Sequence, residues 1–314
     1  KGFSFIDPTV FIDDDGRAYL FWGNKGLWYG ELNDDMISFK NGYKEVPGFH
    51  DAASFGPKMM KMNWGKGKEE LMVGFEEGPW ISKRGDLYYL TYPSGGVPEH
   101  MAYSTAPTVD GPWTYRGRIM DEAVNSFTIH GGEVTYKGHS YMFYHNGKLP
   151  NGAGFHRSAA VEEFKYNPDG TIPFIPFTEN GPAPVGTLNP YERAEAETMA
   201  HSWGLKTDRL PGKNHYVRKI DNGDWIKIRE VEFGTEGPKQ VTVKTLNFKN
   251  PGTVEFYLNA LSDAPFATVK VDGTADEQTV EVRSRRPVTG KHDVYILFRG
   301  GDEELFDFDW WQMK

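Results

Sequence analysis

The sequence contains no cysteine, so neither disulfide bonds nor thiolate metal sites hold this fold together. It also has no apolar run of membrane-spanning length. Long basic runs are missing as well, and the net charge is −9. These absences argue against nucleic acid and against anionic membrane surfaces as partners, and they leave neutral or cationic partners open.

The chain begins at Lys1 rather than at a methionine, and no signal peptide precedes Lys1. We therefore expect a chain that was processed, or one that is part of a longer gene product. Since cysteine is missing altogether, its usage says nothing about the redox compartment.

What the chain does contain favours short strands and tight turns. Aromatic residues make up 15% of it, and there are 36 glycines and 20 prolines. At 314 residues the chain exceeds the usual size of a single hydrophobic core. We therefore predict an all-β protein of two domains.

A Gly-x-x-Tyr pattern followed by apolar residues occurs at 16–21, 85–90 and 138–143. Each copy predicts a β-hairpin, and a recurrence of roughly 50 to 70 residues is typical of propeller blades. The repeats stop before a proline-rich passage near residue 182, and alternating strands follow from residue 191. The pattern predicts a propeller domain over 1–186 and a β-sandwich, or jelly roll, over 187–314.

The stretch Glu76-Glu77-Gly78-Pro79-Trp80 places a carboxylate directly before a Gly-Pro turn and an indole. A carboxyl group beside apolar surface and a second carboxylate is disfavoured as an anion, which is the environment of a general acid. The alternative interpretation is an ordinary solvated turn.

Four ordered motifs carry a resemblance to a known family. They are Ile6-Asp7-Pro8 with the residues around it, Glu77-Gly78-Pro79-Trp80, His130-Gly131-Gly132-Glu133, and the block that runs from 141–145 through 155–158 to 166–171. Together they resemble glycoside hydrolase family 43, and within it arabinoxylan arabinofuranohydrolases and β-xylosidases. The resemblance implies a five-bladed propeller, of which this chain holds only the later blades, with a carboxylate-lined pocket on its axis.

Carried over by motif, the resemblance makes Glu77 the general acid and Asp7 the aspartate that orients it and keeps it protonated. The alternative for Asp7 is a turn that caps the chain ahead of Pro8. The family's general base belongs to an Ala-Asp-Pro motif upstream of Ile6-Asp7-Pro8, so we expect it outside this chain, together with roughly the first two blades. Asp51 is rejected as a substitute because its flanking residues do not match.

Three further residues are expected to bind substrate. Trp80 is the indole beside Glu77, and Arg157 matches an arginine that reaches the bound sugar, with a strand-edge ion pair as its alternative. His130 resembles the family's axial histidine, which lies near a calcium ion or a water cluster. A hydrogen-bonded core histidine is the alternative, because calcium prefers oxygen ligands.

The second domain resembles a family 6 carbohydrate-binding module through Glu195-Ala196-Glu197, 220–225 and 306–310. The resemblance implies a structural calcium held by Glu195, Glu197 and Asp309. The sugar cleft of such modules is expected to be degenerate here. Lys219 and 276–279 occupy places where aromatic residues are common, and Asp307 replaces a common asparagine.

The resulting prediction is an inverting glycoside hydrolase that releases arabinofuranose or xylose from arabinoxylan or xylan of plant cell walls, outside the cell or in the periplasm. Its partners would be this polysaccharide and the missing N-terminal propeller segment, which could be a separate chain. The alternative is a non-catalytic carbohydrate-binding propeller, since no general base is identified. Motifs of the fructan hydrolases, which use similar propellers, are not evident.

Overall fold

The computed structural model describes residues 4–57, 60–63, 67–70, 74–149, 151–210, 215–283 and 287–314. It divides into two compact units, Lys1–Ala183 and Pro184–Lys314. Both consist almost entirely of antiparallel strands, which confirms the all-β prediction. Within the described ranges, no helix is long and apolar enough to span a membrane.

The first unit contains blade-like sheets whose strands follow one another in chain order. Sheet 1 comprises β1 (Thr9–Ile12), β2 (Ala18–Trp22), β3 (Trp28–Glu31) and β4 (Lys44–Glu45). Helix α1 (Ala52–Phe55) and the hairpin β5 (Met60–Asn63) and β6 (Gly67–Glu70) come next. Sheet 2 comprises β7 (Trp80–Arg84), β8 (Leu87–Ser94), β9 (His100–Ala106) and β10 (Thr114–Met120), and sheet 3 comprises β11 (Gly131–Tyr136), β12 (His139–Asn146) and β13 (Ser158–Phe164).

The three Gly-x-x-Tyr patterns form the hairpins β1–β2, β7–β8 and β11–β12. In each pattern the glycine lies at the turn with a positive φ, and the tyrosine side chain is buried. Such a turn favours glycine because a side chain is strained there. This is the arrangement of propeller blades, and the count of five blades stays a prediction.

Sheet 2 is buried on both faces. Alternate residues of β8 point to opposite sides, so Tyr88 packs in a core shared with sheet 1 and Tyr89 packs in a core shared with sheet 3. Each buried large apolar side chain contributes about 1.5–3 kcal/mol to stability. These two aromatic-rich cores hold the three sheets together.

Sheets 1 and 3 each leave one face exposed. On β1, Val10 is 50% exposed and Ile12 is 63% exposed. On sheet 3, the register pairs Gly132 with Phe143, which places Phe143 on the same face as Val134 and Tyr136. All three of those side chains are exposed. We call these the outer faces of sheets 1 and 3.

The second unit is a sandwich of two sheets. One contains β16 (Lys206–Arg209), β17 (His215–Arg218), β24 (Asp307–Met313), β19 (Gln240–Leu246) and β22 (Glu277–Glu281), with β14 (Ala194–Glu195) on β24. The other contains β15 (His201–Trp203), β18 (Trp225–Glu232), β23 (Lys291–Gly300), β20 (Gly252–Leu258) and β21 (Ala267–Val271). Their inner faces meet in one apolar core that includes Val243, Phe256, Ile296 and Phe308.

Candidate active site

A pocket of about 630 Å³ opens where sheets 1, 2 and 3 begin. Its walls come from the residues before β1, the turn before β7, the start of β11 and the end of β12. They are Asp7, Pro8, Thr9, Gly78, Pro79, Trp80, His130, Gly131, Gly132, Val134, Phe143, Tyr144 and His145. The structure therefore brings three of the predicted residues, Asp7, Trp80 and His130, to one pocket, with Glu77 directly before its Gly-Pro wall.

Glu77 is held through both carboxylate oxygens. His130 Nε2 lies 3.0 Å from Oε1, and the side-chain amide of Asn24 donates to Oε2. The backbones of Asn24 and Glu77 form a β-bridge as well. Asn24 follows β2 and is buried, whereas His130 precedes β11, so partners from two different sheets fix the orientation of this one carboxylate.

Asp7 lies beside Glu77 and adopts a positive φ of 56°, an uncommon conformation for a residue other than glycine. The backbone N–H of Gly78 donates to its carboxylate. Burial raises the pKa of Asp7 and the Glu77 carboxylate adds to this, against the opposing charge of His130. Asp7, Glu77 and His130 each present a polar atom within 4.8 Å of the others.

His130 packs on a second histidine, His145, with ring centroids 5.5 Å apart. The backbone N–H of His130 donates to His145 Nδ1 at 3.4 Å, and His145 Nε2 lies 3.0 Å from the carbonyl oxygen of Thr128. Burial lowers the pKa of His145 to about 4, and the nearby Arg157 charge adds to this. His145 is therefore neutral near pH 7, with Nδ1 as acceptor and Nε2 as donor.

Arg157 is exposed and lies at the rim of the pocket. Its Nη1 donates to Thr128 Oγ1 at 3.0 Å, and Thr128 Oγ1 lies 3.1 Å from His145 Nε2. Among the described residues, Arg157 thus contacts Thr128 and His145 and forms no ion pair with a carboxylate. The guanidinium group has further donors to offer a ligand.

Trp80 forms a pocket wall with its indole packed against the backbone of Gly132. Its Nε1 donates to the carbonyl oxygen of Glu133 at 3.2 Å, and 40% of the residue is exposed. The Glu133 side chain is buried, where Ser82 and Thr91 donate to it, and burial raises its pKa. Trp80 therefore presents a fixed aromatic surface to the pocket.

Sequence reasoning missed Asn24, His145, Thr128 and Glu133. Asn24 gives no local signal, because its contact with Glu77 spans 53 residues. His145 and Glu133 lie inside the quoted motifs, and Thr128 lies two residues before His130, so the motifs already pointed to this region. Asp51, which was rejected as a base, accepts a hydrogen bond from Ala53 N and caps helix α1.

The three carboxylates predicted to bind calcium lie in the sandwich unit. Arg193 pairs with Glu195 at 2.7 Å and lies 4.0 Å from Asp309. In the described residues, Glu197 Oε2 is buried without a hydrogen-bond partner. Among the described residues, Asp7, Glu77 and His130 are the only group with three candidate ligand atoms within 4.8 Å of one another. Glu195, Glu197 and Asp309 therefore do not form such a group.

The predicted sugar cleft of the sandwich carries charged groups. Lys219 is exposed, with a positive φ of 52°. Asp307 is buried, and its Oδ2 accepts a hydrogen bond from Asn247 at 2.7 Å. Burial raises the pKa of Asp307.

Comparison with known families gives two matches. Residues 1–172 match the model for Glycosyl hydrolases family 43, and residues 195–314 match that for Carbohydrate binding module (family 6). Each match coincides with one of the two structural units. The first covers more than half of the chain.

Curated relatives of the chain include two arabinoxylan arabinofuranohydrolases. That of Bacillus subtilis (strain 168) is 29% identical over 330 residues, which cover 98% of this chain and 63% of the relative. That of Paenibacillus polymyxa is 29% identical over 333 residues, which cover 98% of this chain and 50% of the relative. Xylosidase/arabinosidase 43A of Humicola insolens is 32% identical over 199 residues, which cover 55% of this chain and 59% of the relative. The chain thus spans about half to two thirds of the length of these relatives.

A solved structure has the same fold. The crystal structure of a glycoside hydrolase family 43 arabinoxylan arabinofuranohydrolase from Bacillus subtilis, in complex with cellotetraose, superimposes with a TM-score of 0.77 at 24% identity. The match covers 99% of this chain and 67% of the other. It supports a propeller followed by a sandwich.

Proposed function

The chain belongs to glycosyl hydrolases family 43, and from its pocket we propose that it supplies the general acid of an inverting glycoside hydrolase. Its substrate would be an arabinoxylan-type or xylan-type polysaccharide, from which arabinofuranose or xylose is released. The observation that carries this proposal is Glu77, whose two oxygens are held by Asn24 and His130 beside an open pocket.

In this reaction the Glu77 carboxyl group protonates the oxygen of the bond being cleaved. A second carboxylate on the opposite side of the sugar takes a proton from water, which attacks the anomeric carbon. These two groups stand roughly 6.5–9.5 Å apart in inverting enzymes to leave room for that water. Atoms of Asp7 and Glu77 lie within 4.8 Å, in a group that also includes His130, which is closer than the acid and the base of an inverting enzyme. Asp7 therefore acts on Glu77 and is not the base.

The base would come from a propeller segment outside these 314 residues, on the same or a separate polypeptide. The outer faces of sheets 1 and 3 support this, because propeller blades bury such faces against neighbouring blades. Trp80 would form the wall that packs on the sugar, Arg157 would bind it at the rim, and His130 would orient Glu77. Since a cell-wall polymer does not enter cells, the enzyme would act outside the cytoplasm.

Replacing Glu77 tests the proposal. In the complete enzyme, Glu77→Gln should abolish sugar release from polysaccharide while largely sparing an aryl glycoside, whose leaving group needs no protonation. The measurement is kcat/KM on both substrates, with Glu179→Gln, an exposed glutamate paired with Lys148, as the control. Equal loss on both substrates would contradict an acid role. No release by the unaltered complete enzyme would favour the non-catalytic alternative.

We further propose a structural calcium in the sandwich unit, held by Glu195, Glu197 and Asp309. The buried oxygen of Glu197 fits a hard cation, while Glu195 would have to exchange Arg193 for the metal. We do not extend this to a second calcium near His130. That group offers an imidazole, and both oxygens of Glu77 there already have partners.

Calcium should raise the melting temperature of the sandwich unit, because an ion that binds only the folded state stabilises it. Differential scanning calorimetry with and without chelator measures this. Glu197→Gln should remove the calcium response, whereas Glu303→Gln, on an exposed loop, should keep it. A chelator-insensitive melting temperature would refute the site.

A further inference from the structure

Phe127 and Phe155 form a contacting pair of exposed aromatic rings outside the pocket. Phe127 is 45% exposed and Phe155 is 82% exposed. Their ring centroids are 5.8 Å apart with an interplanar angle of 71°, an edge-to-face contact. Large aromatic side chains left in water as a group mark interaction surfaces more often than isolated ones do.

Hydrogen bonds hold the backbone segments that carry both rings. The Phe127 carbonyl oxygen accepts a hydrogen bond from the N–H of Glu99, whose buried carboxylate accepts one from Ile129 N at 3.2 Å. Phe155 lies in a tight turn closed by reciprocal backbone bonds between Ala153 and His156. The edge contact between the rings is therefore built by two anchored segments.

Gly154 allows the two segments to meet. A Cβ atom at this position would lie 2.1 Å from Cε2 of Phe127, so only glycine fits against the ring. The backbone of Gly154 thus covers part of Phe127 and leaves the Phe155 ring projecting beside it.

Polar side chains connect the Phe127–Phe155 pair to the pocket. Thr128 follows Phe127, and Arg157 lies two residues after Phe155. Arg157 donates to Thr128, which contacts His145 in the pocket wall. An apolar surface thus runs beside hydrogen-bonding groups, which is the combination that binds a sugar ring with its apolar C–H face and its hydroxyl edge.

We propose that Phe127 and Phe155 form a platform for the pyranose rings of the polysaccharide main chain, while the sugar to be released enters the pocket. Thr128 would bond a hydroxyl group of that main chain, next to the released sugar that Arg157 binds at the rim. The inference rests on the proposed function, since it identifies where the uncleaved part of the same substrate lies. The net charge of −9 also suits a neutral polymer better than an acidic one.

Binding of a neutral xylo-oligosaccharide tests the platform without requiring turnover. Isothermal titration of the 314-residue chain with xylohexaose and with xylose should show Phe155→Ala weakening the hexaose about three- to tenfold, the share of one aromatic contact. Phe155→Trp should restore binding. Phe174→Ala is the matched control, because Phe174 is also half exposed and lies next to β10, at the opposite edge of sheet 2 from the pocket.

Equal hexaose affinity in Phe155→Ala and the unaltered chain would overturn the platform. So would a change in sedimentation of Phe155→Ala at unchanged hexaose affinity, which would indicate a protein contact. A loss that is equal for xylose and hexaose would place the effect in the pocket and also refute the inference. Failure of the proposed function would look different. The complete enzyme would then release no sugar, while Phe155→Ala would still bind hexaose more weakly than the unaltered chain.

Discussion

At the scale of single residues, the position of the Glu77 carboxylate depends on groups far away in the chain. Asn24 and His130 each lie 53 residues from Glu77, in opposite directions. His130 is itself backed by His145, which is neutral near pH 7 because burial lowers its pKa to about 4. The placement of the proton donor thus rests on hydrogen-bonding groups from distant parts of the chain, Asn24 first among them.

Asn24→Ala should lower kcat on polysaccharide about 10- to 100-fold in the complete enzyme, because a displaced general acid no longer meets the leaving oxygen. KM should change little, since Asn24 does not line the pocket. Steady-state kinetics measure both. Asn33→Ala is the control, because Asn33 is an exposed turn residue bonded to Ser38. An unchanged kcat, or a rise in KM alone, would speak against a positioning role.

At the scale of elements, the turn before β7 determines how close Glu77 comes to β11. Gly78 has a φ of +53°, and a Cβ atom there would lie 2.5 Å from Nδ1 of His130. The imidazole thus packs directly on the backbone of this turn. Pro79 and Trp80 then continue into β7, where the indole bonds to the Glu133 carbonyl. The turn joins sheet 2 to sheet 3 at the pocket.

Gly78→Ala should reduce both stability and activity, whereas Gly85→Ala should reduce only stability. Both glycines have a similar positive φ, which costs about 1 kcal/mol for alanine, but nothing lies within 4 Å of a Cβ at Gly85. Only Gly78→Ala therefore has to displace His130. Thermal melts and kcat/KM of the two variants provide the comparison. Equal activity in both would show that the contact with His130 does not matter.

At the scale of the whole molecule, sheet 2 of the propeller unit packs against a core on each of its two faces, whereas sheets 1 and 3 each have one exposed face. The outer faces of sheets 1 and 3 present Val10 and Ile12 on one side and Val134, Tyr136 and Phe143 on the other. Contiguous apolar surface of this kind is uncommon on monomeric proteins and favours association. The same faces are where further blades would pack.

The 314-residue chain should therefore self-associate and show no arabinofuranosidase or xylosidase activity alone, and it should regain activity with the propeller segment that we propose to carry the base. A missing base alone costs about 10²- to 10⁴-fold in rate. Analytical ultracentrifugation and both assays, with and without that segment, measure this. Ile12→Lys and Tyr136→Lys should reduce self-association, unlike Ile37→Lys in the β3–β4 connection. Full activity of a monomeric chain would refute the prediction.

The sequence predicts the hairpins well because their signal is local. Gly16, Gly85 and Gly138 mark turns within a few residues of the strands that they join. Asp7, Glu77 and His130 came from motif order, and the structure places them together. Asn24 could not be predicted, since a bridge between residues 53 apart leaves no periodicity. The sandwich carboxylates illustrate a different limit, because Arg193 is only two residues from Glu195 but their ion pair depends on side-chain orientation, which the sequence does not give.

The burial of sheet 2 between two cores also determines how the propeller unit unfolds. Strands β8 and β9 alternate between the two cores, with Tyr88 and Ala102 in one and Tyr89 and Tyr103 in the other. Neither core can be hydrated without disturbing a strand on which the other depends. Amide hydrogens of β8 and β9 should accordingly exchange with deuterium only when the whole unit unfolds, while those of the outer strands exchange through local fraying.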